Sequence, residues 1–200
     1  MPMKRLTALL LLVLSVYVVD AQTMMRDVIV SMPDSILPLL TKVNREDCVD
    51  FREANMQAQV TNRLGAITEL TELTSDFASW RYTEGSVYEM KLLPLSDTLQ
   101  VLCMTHRLLE PVCDASVRFF DSQWNLLPME RFIALPAASD DMSLLTTYDF
   151  ALSPSSTELN VTTRCEYFDT ESVVGADMGI YVKHQPFLYQ WTDGRFTIAE

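Results

Sequence analysis

Glycine is scarce in this chain, with five among 200 residues, and that shortage excludes collagen-like and solenoid designs. Histidine is scarcer: His106 and His184 are the whole supply, and neither has a partner at a recognised spacing. There is no G-x-S-x-G, no H-E-x-x-H, no C-x-x-C and no glycine-rich phosphate loop. A serine or cysteine hydrolase would have to recruit one of the two histidines as its base; the ordinary place for both is the surface or a hairpin. No D-x-D-x-D-G loop offers calcium a site, and "SDDM", with Asp140 and Asp141, reads as an acidic loop. No cofactor or metal is expected. Basic side chains are also few, 15 against 27 acidic ones, for a formal charge of −12. Nucleic acid and anionic lipid surfaces repel such a chain.

The one long apolar run lies at the start. Met1 to Arg5 carry two positive charges, Leu6 to Val19 form a largely apolar run of fourteen, and Val19-Asp20-Ala21 places small or apolar groups at the minus-three and minus-one positions. This is the layout of a cleavable secretory signal. Fourteen helical residues reach roughly 21 Å, short of the roughly 30 Å hydrocarbon core, so an anchor fits less well. No cysteine follows the run to carry a lipid, and no second stretch approaches spanning length. Loss of residues 1–21 removes Lys4, Arg5 and Asp20, leaving 179 residues with 13 basic and 26 acidic side chains and a charge of −13. Residues 22–200 have the size of one domain with a substantial core.

Helical signals come first. Asp34 and Ser35 precede Ile36, Leu37, Leu39 and Leu40, a pattern that predicts a short helix capped by one of the two polar side chains. The spacing in "NREDCVDFREANMQ" predicts a second helix over 44–57, with Asn44 as cap and Asp47 in the place of a reciprocal acid. Val43, Cys48, Phe51 and Ala54 would form its apolar stripe. Glu46, Asp50 and Glu53 fall on another face at i, i+4 and i+7. Paired acids can serve glycoside hydrolysis when about 5 to 9 Å apart and differently protonated. With Arg45 and Arg52 nearby, a solvated face is the ordinary reading of them, and they stand only as weak surface-site candidates.

From residue 77 the apolar period drops to two, which predicts strands. In "ASWRYTEGSVYEMKL" a loop of Thr83, Glu84 and Gly85 would set Trp80 opposite Tyr88 and Ala78 opposite Met90. "TLQVLCMTH" is apolar at both parities from Val101 to Met104, as a central strand covered on both faces would be. "ASVRFFDSQWNLL", "SLLTTYDFAL" and "STELNVTTRC" follow, the last two separated by the breaker "SPSS". "YQWTDGRF" raises a choice between a stacking platform and the inner face of a hairpin. With Asp193 and Gly194 as a two-residue turn, Trp191 faces Phe196 and Tyr189 faces Ile198 on one side, while Gln190, Thr192, Arg195 and Thr197 share the other. That split is what a half-buried hairpin requires.

Four cysteines, Cys48, Cys103, Cys113 and Cys165, allow three pairings in an exported chain. Cys103 and Cys113 flank the expected hairpin loop around "RLLEP" and make the candidate disulfide; free buried thiols are the alternative. Asn160-Val161-Thr162 is a sequon that matters only in a eukaryotic secretory pathway.

Taken together, "MPDSILPLLTKVNREDCVDF", "VTNRLG", "YEMKLLPLSDT", "VRFFDSQWNLL" and "YQWTDGRF" resemble a domain-of-unknown-function family of secreted proteins from gram-negative gut anaerobes of the Bacteroides type. The resemblance covers nearly all of the chain beyond the leader and implies export to the periplasm or the cell exterior, with no assigned activity. In such bacteria Asp34-Ser35-Ile36 and Asp97-Thr98-Leu99 also resemble short acceptor sites for O-linked glycans. The expected fold is α+β, short N-terminal helices followed by a largely antiparallel β-sheet with hairpins. The expected function is a non-catalytic envelope module that binds a protein or a glycan, with a carboxylate-dependent hydrolase as the alternative.

Overall fold

The computed structural model describes residues 23–109, 114–136, 143–168 and 180–199. The leader expected over residues 1–21, Cys113 and the Asp140-Asp141 loop lie outside them. The described residues form α1 (Met25–Ser31), α2 (Lys42–Glu53) and eleven strands: β1 (Gln59–Thr61), β2 (Ile67–Leu73), β3 (Phe77–Thr83), β4 (Ser86–Pro94), β5 (Gln100–Leu108), β6 (Asp114–Phe120), β7 (Leu126–Leu127), β8 (Ser143–Leu152), β9 (Glu158–Phe168), β10 (Ile180–Thr192) and β11 (Arg195–Ile198). Seven form an antiparallel meander in the order β1 to β7; four form a second sheet in the order β11-β10-β9-β8.

This is a predominantly antiparallel β architecture, which corrects the α+β expectation. The helices span only 7 and 12 residues, and strands begin at residue 59 instead of 77. The helix expected after Asp34 does not form. Residues 34–40 run through successive turns, with Ile36 N–H donating to Pro33 O and Leu40 N–H to Leu37 O. Pro38 cannot donate and its ring clashes with the preceding turn, so no helix propagates there. The second helix starts earlier than expected because Thr41 is its cap. Thr41 Oγ1 accepts from Asn44 N–H, and Asn44 Oδ1 accepts from Thr41 N–H, both at 3.1 Å. It stops at Glu53 because Asn55 adopts φ 56°, and Met56 N–H closes back on Phe51 O at 2.8 Å.

The large sheet is covered on both faces, as the doubly apolar run in β5 requires. Leu102 and Met104 face the helices, where Met25, Ile29, Leu37, Leu40, Cys48 and Val49 close over Leu70, Trp80 and Met90. Val101 and Cys103 face the small sheet, against Phe119, Phe132, Phe150, Leu159, Val161, Tyr189, Trp191 and Phe196. The predicted pairs Trp80 with Tyr88 and Ala78 with Met90 are present. The loop between them is one residue shorter than expected, because a register shift pairs Thr83 with Ser86. The C-terminal hairpin has its predicted register, Thr192 to Arg195 through Tyr189 to Ile198. Asp193 and Gly194 take φ 51° and 77°, the left-handed conformations that a two-residue hairpin turn needs. Tyr189, Trp191 and Phe196 are buried as that register demands, whereas Ile198 stays half exposed at the strand end.

Candidate functional site

Three segments far apart in sequence enclose a cleft of about 360 Å³: α1, the β4–β5 connection and the β6–β7 turn. Each wall has its own local cause. In the β4–β5 connection, Leu95 N–H and Ser96 N–H both donate to Leu99 O, at 2.7 and 3.2 Å. Ser96 Oγ accepts from Leu99 N–H at 3.1 Å. This closed loop turns Asp97, Thr98 and Leu99 outward, and Leu99 is 62% exposed. In the β6–β7 turn, Asp121 Oδ1 accepts from Gln123 N–H at 2.8 Å and from Asn125 N–H at 2.9 Å, while Oδ2 accepts from Asn125 Nδ2 at 2.9 Å. These bonds, the Asn125 side chain first, hold the Asp121 carboxyl below the usual carboxylate range.

The turn forces Trp124 to φ 65°, an uncommon conformation for a bulky residue. The indole packs against Phe120 at 5.5 Å between centroids, and its Nε1 points at Ser31 Oγ of α1 at 3.5 Å. Val28, Leu92, Leu102 and Trp124 make an apolar floor, and Asp27, Asp97 and Asp121 stand among hydroxyl-bearing residues around it. Among the described residues lining the cleft there is no lysine, arginine or histidine.

The acids singled out from the sequence lie elsewhere. Glu53 accepts from Arg26 Nε at 2.7 Å, Glu46 meets Lys42 at 3.6 Å one turn back, and Asp50 is exposed on the same helix. None of the three lines the cleft. Cys103 is a free thiol with no exposed surface, pushed far up in pKa by burial. It lies five residues in from Leu108, which pairs with Asp114 where the hairpin closes, a distance of roughly 17 Å along a strand. Cys48 is the other described free thiol, its pKa pushed up to about 12 by burial. No cluster of three metal-ligating side chains occurs among the described residues. His106 stacks on Tyr88 at 4.0 Å, and burial, then Arg118, lowers its pKa. His184 is exposed on β10.

Sequence reasoning missed three inward-facing charged groups, Arg45, Glu89 and Lys91. Arg45 is 1% exposed. Its guanidinium donates to Asp34 Oδ1 at 2.9 Å and to the carbonyls of Leu40, Ile29 and Met32, tying α2 to the turns that precede it. Asp34 also accepts from Arg63 at 2.9 Å, and it is held below the usual carboxylate range, chiefly by its bond to Arg45. Asp34 therefore serves as an ion-pair hub and not as a helix cap. Glu89 lies at the seam between the sheets. It accepts from Leu152 N–H of β8 at 2.8 Å, and Arg107, 4.0 Å away, grips Asp149 of β8 at 2.6 and 2.9 Å. Burial pushes the Glu89 carboxyl up. Lys91, 2% exposed, makes a parallel tie to Asp76 and to Pro154 O.

Two stacked antiparallel sheets, helices over the outer face of the larger one and a cleft at the helix edge define a β-rich domain with a small built cavity. The chain belongs to the family described as "Protein of unknown function (DUF3256)", whose profile matches residues 16–152. That span takes in both helices, the seven-stranded sheet and β8. Among solved structures, a domain of an uncharacterized protein from Porphyromonas gingivalis W83 is similar, with 23% identity and a TM-score of 0.67 over 88% of this chain and 98% of that one. At this identity the likeness concerns the fold. No curated protein matches the chain. The family carries no assigned function, and the solved structure agrees with this chain in fold.

Proposed function

We propose that this protein is an exported, non-catalytic binding module that loses residues 1–21 on its way to the periplasm or the cell exterior and engages a protein or glycan of the envelope through the cleft. The observation that carries this reading is the cleft itself: half-buried Trp124 and exposed Leu99 over a nearly buried apolar floor, beside a ring of hydroxyls and carboxylates, the composition of a ligand site. Burying exposed Leu99 and the free face of Trp124 gives a partner apolar area to cover. The hydrolase alternative has less support. The carboxyl raised by burial, Glu89, is engaged between the sheets by Leu152 N–H and lies outside the cleft lining.

Leu99→Arg fills the cleft mouth from an exposed position and should leave the fold intact. Titration of the wild-type protein with envelope glycans and envelope peptides should find ligands that the variant loses. Ligands that bind both proteins equally would place the site elsewhere. Intact mass of the secreted product tests export, with Gln22 expected as the first residue.

A further inference from the structure

Building on the cleft as the binding site, we infer that it recognises a polypeptide segment in which an apolar side chain is flanked by lysine or arginine. Its floor, beneath the polar rim, favours an apolar side chain over a sugar ring. The floor is mainly aliphatic, from Val28, Leu92 and Leu102, and offers no hydrogen bonds to the hydroxyls of a pyranose ring. A hydroxyl desolvated there without a partner loses its water and gains nothing in return. The one aromatic wall, Trp124, already packs against Phe120 and turns its indole N–H toward Ser31. A cavity of about 360 Å³ is near the small end of ligand sites, a size that suits an anchoring side chain.

Charge decides which peptide. Asp27, Asp97 and Asp121 stand at the rim with no cationic side chain in the lining, on a chain whose formal charge is −12. Asp121 is committed to its own turn, and exposed Asp27 has Arg26 at 3.5 Å. Asp97 has no ion-pair partner among the described residues, and it neighbours exposed Leu99 on the same loop. A lysine or arginine beside an inserted apolar residue therefore meets an acidic rim, whereas an acidic peptide meets repulsion.

The test uses the purified protein and three fluorescent probes: a Leu-Phe peptide flanked on both sides by lysines, the same peptide flanked by glutamates, and a neutral glucan oligosaccharide. The lysine peptide should bind at least about tenfold more tightly than the glutamate peptide, and raised salt should shrink that advantage. Asp97→Asn should weaken the lysine peptide by about threefold, and Leu99→Arg should abolish its binding, with unchanged urea melts in both. Equal affinity for the two peptides, or binding that survives Leu99→Arg, overturns the inference, as does failure of the lysine peptide to bind. Oligosaccharide binding that Leu99→Arg abolishes, without peptide binding, overturns the peptide assignment and leaves the cleft as the binding site.

Discussion

Trp191 on β10 donates its indole N–H to the carbonyl of Pro94 at the end of β4, at 2.7 Å. That bond joins the last hairpin of the small sheet to the centre of the large one, and it gives the one polar atom of a buried side chain its partner. Trp191→Ala should cost about 3–5 kcal/mol. Gln190→Ala, on the opposite face with one hydrogen bond to Thr157, should cost about 1 kcal/mol or less. Urea denaturation of both variants checks this, and equal losses would contradict the packing described.

Arg45→Met keeps most of the buried stem but leaves the carbonyls of Ile29, Met32 and Leu40 without their donor. A loss of about 2–4 kcal/mol is expected. Asp34→Asn, at a half-exposed partner, should cost less, because the carbonyls of Ile29, Met32 and Leu40 still hold the guanidinium. Thermal melts of the two variants separate the buried guanidinium from its half-exposed carboxylate partner.

Glu89 supplies a pH signature. Its folded-state carboxyl is raised above the ordinary 4.5 by burial, so the native state holds the proton to higher pH than the unfolded chain does. Its contribution to stability therefore falls as pH rises from about 4.5 through the raised folded value. Glu89→Gln removes this slope and keeps an acceptor for Leu152 N–H. Urea midpoints should show the variant gaining on wild type between pH 4 and pH 7. A variant that falls further behind at pH 7 would mean that the charge on Glu89 is worth more to Arg107 than its burial costs.

Replacing Glu46, Asp50 and Glu53 together by Gln should change stability by no more than about 1 kcal/mol and leave cleft binding unaltered. Glu53 loses an exposed pair with Arg26, and Glu46 loses a loose one with Lys42. Loss of binding with an unchanged melt would move the site onto α2.

Local signals were legible in the sequence and assembled ones were not. Asp193-Gly194 states its turn in two residues, and alternation around it states which side chains go inward. The doubly apolar parity of Val101 to Met104 likewise states that both faces of β5 are covered. The missing helix at residues 34–40 follows from weighing the apolar spacing above Pro38. The α2 stripe was misplaced because Val43, apolar, is 62% exposed while Arg45, charged, is buried. An arginine becomes an inward-facing residue only when carbonyls from three other positions converge on it, which no periodicity records. The cleft is harder still, since Ser31 and Trp124 meet across 93 residues and the wall between them is a loop closed by Ser96.

Indole resonances test the cleft as the binding site most directly. The chain has three tryptophans: Trp80 and Trp191 are buried in the two cores, and Trp124 lines the cleft. In a ¹H–¹⁵N spectrum titrated with the lysine-flanked peptide, or with any envelope ligand that binds, the Trp124 signal should move while those of Trp80 and Trp191 stay in place. Movement of Trp191 with Trp124 unchanged would contradict the cleft and put the ligand on the C-terminal hairpin.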